Sequence, residues 1–119
     1  MSKFTTIPAV AVESGRAWLG LLDSSSYSKA WEDAAATMRS CVSQADFDKD
    51  LQSIRAPLGK VVSREIKSHR YMTQPPGLAE GDYWIISYAA TFETKPNVAE
   101  SVVLVLEQDG NWRVAGYSS

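Results

Sequence analysis

Apolar positions recur at helical spacing through the first half of the chain and at alternating spacing through the second. Residues 9–23 predict a first helix, with Val10, Ala11, Ser14, Ala17, Trp18, Leu21 and Leu22 on one stripe and Glu13, Arg16 and Asp23 off it. Gly15 and Gly20 weaken it, since glycine loses the most backbone freedom in a helix. Ser24-Ser25-Ser26 ends this pattern and offers an N-cap for the next. Residues 28–42 carry the strongest helical pattern: Trp31, Ala34, Ala35, Met38, Cys41 and Val42 line up at spacings of three and four. Ser43 caps a third helix, with Asp46 three residues on as a weak capping box and Phe47, Leu51 and Ile54 as its apolar face. Pro57 stops it, because a proline pushes the preceding residue, Ala56, out of the helical region.

From Gly59 the period becomes two. Four strands are predicted at residues 60–73, 82–94, 98–107 and 111–118. They are separated by a loop at 74–81, a turn at Lys95-Pro96-Asn97 and the hairpin signal Asp109-Gly110. Helices followed by strands predict an α+β domain, with three N-terminal helices packed on a curved four-stranded antiparallel sheet. With 119 residues, one domain over 1–119 is expected, and residues 1–8 are expected to be flexible.

Composition narrows the chemistry. Six basic and seven acidic residues fall in each half, so neither half offers the basic stripe of a nucleic-acid binder or of a membrane-surface helix. No apolar run approaches a membrane span, and no membrane insertion is expected. The first residues lack an apolar core of signal-peptide length, which leaves a cytoplasmic protein or one whose signal has been removed. Cys41 is the single cysteine and His69 the single histidine, too few for a zinc site of such ligands, and no metal or cofactor is expected. Cys41 lies on a helical stripe and reads as a small buried hydrophobe. His69, among Lys67, Ser68 and Arg70, reads as a solvated surface residue.

Register arithmetic suggests a site. Pairing Phe92 with Glu100 keeps the even positions of the second and third strands on one buried face. A two-residue Asp109-Gly110 turn pairs Leu106 with Arg113, Leu104 with Ala115 and Val102 with Tyr117. Arg64, Tyr88, Glu100, Arg113 and Tyr117 would then share a face and form polar groups in an apolar pocket, a candidate ligand site. The plainer reading is a structural ion pair, and a single β-bulge would move any of them to the other face. Val103, Val105, Trp112 and Val114 would occupy the opposite face, which the helices do not cover. A second copy of the chain is the expected cover, giving a homodimer through the sheet. The tryptophans read as core before stacking platforms. Tyr71 and Tyr83 flank the first hairpin loop as candidate partner contacts.

An ordered set of short motifs spans residues 14–118. It comprises Ala17-Trp18-Leu19, Asp23, Tyr27, Trp31-Glu32, Arg55-Ala-Pro-Leu-Gly59, Ser63-Arg64, Pro76-Gly77, Gly81-Asp-Tyr83, Phe92, Lys95, Glu100 and Gly110-Asn-Trp-Arg-Val-Ala-Gly-Tyr117. Together these resemble the bacterial domain of unknown function 4019 family. The resemblance implies an uncharacterised function and, because members often follow an export signal, a periplasmic location. More remotely, the order of elements is similar to cystatin-like and nuclear-transport-factor-like folds, which host isomerases, cyclases and non-catalytic binding domains, so fold alone selects none of these. Three functions stay open. They are a non-catalytic domain binding a small molecule or protein, a cofactor-free isomerase- or cyclase-like enzyme using Glu100 with Tyr88 or Tyr117, and a structural interaction module.

Overall fold

The computed structural model describes residues 6–119. Its class is α+β, with four helices where three are expected: α1 (Ala9–Asp23), α2 (Tyr27–Asp33), α3 (Ala36–Cys41) and α4 (Gln44–Arg55). The strands β1 (Val61–Met72), β2 (Tyr83–Phe92), β3 (Lys95–Leu106) and β4 (Trp112–Ser118) form one antiparallel sheet in the order β1-β2-β3-β4. The expected flexibility of the first residues falls largely on 1–5, which lie outside the described residues. Ile7 already packs against the main core.

The helices depart from the sequence pattern in instructive ways. The buried stripe of α1 is Ala11, Gly15, Trp18, Leu19 and Leu22, while Val10 is 65% exposed. The helix is therefore rotated from the stripe of largest side chains. Gly15 explains the rotation: a methyl group there would stand 3.0 Å from the Tyr88 hydroxyl, so the bare glycine lets the helix approach β2. The expected single helix over 28–42 is broken at Ala34 and Ala35, both extended. The Ala35 amide donates to the Val114 carbonyl on β4 instead of continuing the helix. Cys41, expected to be buried, is consequently exposed at the end of α3. Ser43 caps α4 by accepting from the Asp46 amide. Phe47, Leu51 and Arg55 are its buried positions, and Ile54 is left 41% exposed. Ala56 keeps helical angles despite the following proline, and the chain turns beyond it through Gly59 at φ +76.

Even positions of β2 and β3 face the helices, and Trp84, Ile86, Tyr88, Val102 and Leu104 join Trp18, Leu19, Leu22, Phe47 and Leu51 in the main core. The register differs from expectation. Tyr88 opposes Glu100 and Phe92 opposes Lys95, because the turn sits at Glu93-Thr94. The shift moves pairs by an even number at the strand centre, so the face assignments hold. At the last hairpin the shift is odd. Leu106 opposes Trp112 and Leu104 opposes Val114, and a bulge between Val103 and Leu104 then restores Val102 opposite Tyr117. Trp112 and Val114 therefore lie in the main core under α1, not on the open face. Val103 and Val105 remain on the open face, in a smaller cluster with Ala35, Leu78, Tyr83 and Ala115. The two sheet edges also differ. The α2–α3 link is bonded to β4, whereas among the described residues no strand flanks β1, which carries two register shifts of its own.

Candidate functional site

Six side chains, each from a different element, converge at one end of the helix–sheet interface. Asp23 ends α1 and Arg55 ends α4, while Arg64, Tyr88, Glu100 and Tyr117 come from β1 to β4 in turn. The Arg64 guanidinium grips Asp23 end-on, donating from Nη1 to Oδ2 at 2.8 Å and from Nη2 to Oδ1 at 3.0 Å. Its Nε donates to Glu100 Oε1 at 2.7 Å. Arg55 Nη2 donates to Asp23 Oδ1 at 2.7 Å. Tyr117 donates to Glu100 Oε2 at 2.5 Å. Two guanidinium groups thus balance two carboxylates, and all four carboxylate oxygens accept a hydrogen bond. Burial of such charges is tolerable only when they are paired in this way.

Titration follows from these contacts. Burial alone would raise Asp23, but the hydrogen bonds from Arg64 and Arg55 outweigh it and hold the carboxyl below its usual range. Burial would lower Arg64, and its bonds to Asp23 and Glu100 reverse that and raise it. Tyr117 is raised by burial and then by its bond to Glu100. Tyr88 is pushed up to about 12, chiefly by burial.

Among the described residues, two side chains here carry buried polar atoms without partners. The Tyr88 hydroxyl is buried with no hydrogen-bond partner. Arg55 leaves Nε and Nη1 unpartnered, with its guanidinium carbon 4.9 Å from the centre of the Phe92 ring. That stacking supplies a cation–π contact in place of hydrogen bonds.

Two cavities flank the network. A cleft of about 630 Å³ opens on the Asp23 and Arg55 side, between the end of α1, α4 and the Gly59–Lys60 turn. A slot of about 420 Å³ opens on the Arg64 side, walled by Val12, Leu19, Ile66 and Tyr88, with Arg16 and Glu65 also lining it. The slot exists because α1 packs mainly on β4 and stands away from β1. Both volumes fall in the range typical of small-molecule sites.

Of the five residues proposed from sequence for a ligand site, four come together: Arg64, Tyr88, Glu100 and Tyr117. Arg113 does not. The odd register at the last hairpin turns it to the opposite face, where it pairs with Glu107 at 2.8 Å and Asp109 at 2.9 Å. Asp23 and Arg55 stand among the family motifs but not among the site residues proposed from sequence, and Asp23 lies off the apolar stripe of its helix. Arg55 carried a signal, since it follows Phe47 and Leu51 at helical spacing and so continues a buried stripe. His69 is exposed as expected, with its ring 5.5 Å from Trp84. Tyr71 bonds to Asp82 across the first hairpin. Among the described residues, no group of three or more His, Cys, Asp or Glu side chains is placed to hold a metal ion. Among them, too, no helix is long and apolar enough to cross a membrane.

No curated protein matches the chain. The sequence model described as "Protein of unknown function (DUF4019)" matches residues 14–117, a span holding all six converging side chains. The chain therefore belongs to the DUF4019 family.

Proposed function

We propose that the chain is a non-catalytic binding domain for a small organic molecule, seated in the slot between α1 and the β1–β2 hairpin. One observation carries this reading: the Tyr88 hydroxyl is buried and unpartnered beside the slot. An unmet buried hydroxyl costs about 1–3 kcal/mol. Native folds rarely leave such a group unmet, and where they do a functional site is one explanation, here a ligand that completes it. The neighbouring network argues against catalysis, because both Glu100 oxygens already accept hydrogen bonds and neither is a free base. Cys41, the single thiol, stands exposed at the end of α3, outside the network. Helices preceding an antiparallel meander support the wider likeness to cystatin-like and nuclear-transport-factor-like folds.

The test is a fragment screen read by two-dimensional NMR on the labelled protein. Hits that move the amides of Val12, Arg16, Ile66 and Tyr88 support the slot. A chemically broad library that moves none of them refutes it. Turnover lost on Glu100→Gln would favour the isomerase-like alternative.

A homodimer through the open sheet face is a second and compatible proposal. That face retains half-buried Ile85, Ala89, Val103 and Ala115 on a side no helix covers among the described residues. Val103 is the candidate contact, Val105 is already covered within the cluster of Ala35, Leu78 and Tyr83, and Trp112 and Val114 are withdrawn to the core. Sedimentation across concentrations tests it: a monomer throughout would sink the dimer, and Val103→Lys should split a genuine one.

A further inference from the structure

We infer that the ligand of the slot is an apolar monocarboxylate, its carboxylate held between the Tyr88 hydroxyl and the Arg16 guanidinium and its body against Val12, Leu19 and Ile66. The inference rests on the binding reading above and names its ligand class. Three observations carry it.

The first is the shape of polarity in the slot. Its walls are Val12, Leu19, Ile66 and the Tyr88 ring, and Ile66 is 40% exposed, an apolar side chain without full cover. An apolar body gains by covering these groups.

The second is the missing acceptor. Tyr88 is 5% exposed, and its hydroxyl ends beneath Gly15 with no partner. Burial keeps this phenol protonated, so it is a donor seeking an oxygen. The hydroxyl is closed off from water, and α1 stands over it. A ligand entering from the slot reaches it by shifting α1 off β2, and α1, packed mainly on β4, is held least on that side.

The third is charge. Arg64, Arg16 and Glu100 are the charged groups near enough to act on the hydroxyl. Glu100 is neutralised by Arg64 and Tyr117, and Arg64, which also lines the slot, already donates to Asp23 and Glu100 from each of its three nitrogens. Among the described residues Arg16 pairs only with Glu13, at 3.5 Å and with both side chains more than two-thirds exposed, so it is released at little cost. An arginine so placed can form paired hydrogen bonds to a carboxylate. Glu65 lines the slot as well, but its side chain is 70% exposed and lies 3.2 Å from Lys67, so solvent and that ammonium group both screen its charge.

The experiment compares octanoate with octanamide, which share a chain and differ in charge, by NMR titration of the full protein at neutral pH. Octanoate should move the amides of Val12, Arg16, Ile66 and Tyr88 and bind about ten-fold tighter than octanamide, the worth of a charge-assisted bond. Arg16→Gln, at an exposed position, should remove that advantage and leave octanamide unchanged. Tyr88→Phe should weaken both compounds while the fold persists. Equal binding of the two compounds, with Arg16→Gln indifferent, would overturn the carboxylate while leaving the slot reading standing. Failure of both compounds to move slot amides at millimolar concentration would overturn the carboxylate class. If other fragments then bind the slot, the binding reading survives; if none does, it falls too.

Discussion

Tyr88 and Tyr117 lie on the same helix-facing side of the sheet, and replacing each by phenylalanine should have opposite effects on stability. Tyr117 donates to Glu100 Oε2 at 2.5 Å, and Glu100 is 1% exposed. Tyr117→Phe strips a donor from a buried carboxylate, which costs about 1.5–3 kcal/mol for a bond to a charged group. Tyr88 offers no such bond to lose. Tyr88→Phe removes the burial penalty of an unmet hydroxyl, about 1–3 kcal/mol. Against that stands a void of one oxygen, worth about 0.3 kcal/mol at the usual cost per volume of cavity. The expected result is a gain of about 1 kcal/mol for Tyr88→Phe and a loss of about 2 kcal/mol for Tyr117→Phe. At this chain length about 4 °C of melting temperature follows from each kcal/mol, so the variants should melt roughly 10 °C apart. Urea denaturation followed by tryptophan fluorescence measures both, and Trp18 lies 5.7 Å from the Tyr117 ring as a reporter. A loss of about 1 kcal/mol or more in Tyr88→Phe would refute the reasoning, because it would mean that the hydroxyl has a partner. The ligand argument would fall with it.

Other expectations follow from the same geometry. Asp23 has its folded carboxyl held below the usual 3.8, so its stabilisation is present above that pH and is lost as the pH falls through the depressed folded value; Asp23→Asn should flatten the acid limb of stability against pH. Tyr88 and Tyr117 have raised values, so their ionisation leaves stability unchanged below the ordinary tyrosine value of 10 and lowers it as pH rises above that; tyrosinate absorbance should show both ionising late. Arg64→Ala leaves Asp23 and Glu100 poorly compensated and should cost about 3–5 kcal/mol, whereas Arg113→Ala on the open face should cost about 1 kcal/mol or less, both read by denaturation. Cys41 should react fully with a thiol reagent in the native protein, without denaturant.

How much of this was legible in the sequence depends on parity. The alternation of β2 and β3 fixed which residues face the helices, so the wrong register between Phe92 and Glu100 still put Tyr88 and Glu100 on one face. Tyr117 was assigned to its face and to its partner Val102, because the loop shift and the bulge in β4 cancel by that point. Between them they do not cancel. Arg113 was assigned to the wrong face for that reason, and Trp112 and Val114 with it. A five-residue loop around Asp109-Gly110 and a tight two-residue turn share the same sequence signal. Nor could local pattern show the break at Ala34-Ala35, which depends on a hydrogen bond to a strand about 80 residues later. Arg55 was hidden because a cation on an apolar stripe reads as the stripe's end. Only the fold shows Asp23 and Phe92 waiting for it.

The unequal edges of the sheet bear on how this protein behaves when crowded. Runaway strand-on-strand growth needs a donor edge and an acceptor edge on every molecule. Here the α2–α3 link is bonded to β4, so β4 presents no clear run of backbone to a newcomer. β1 presents twelve residues of strand with two irregularities and the exposed charges of Glu65, Lys67 and Arg70. Two molecules can meet through β1, and a third would then have to add at the β4 edge, where the α2–α3 link already occupies the Val114 carbonyl. The inequality of the two edges works against growth beyond a pair.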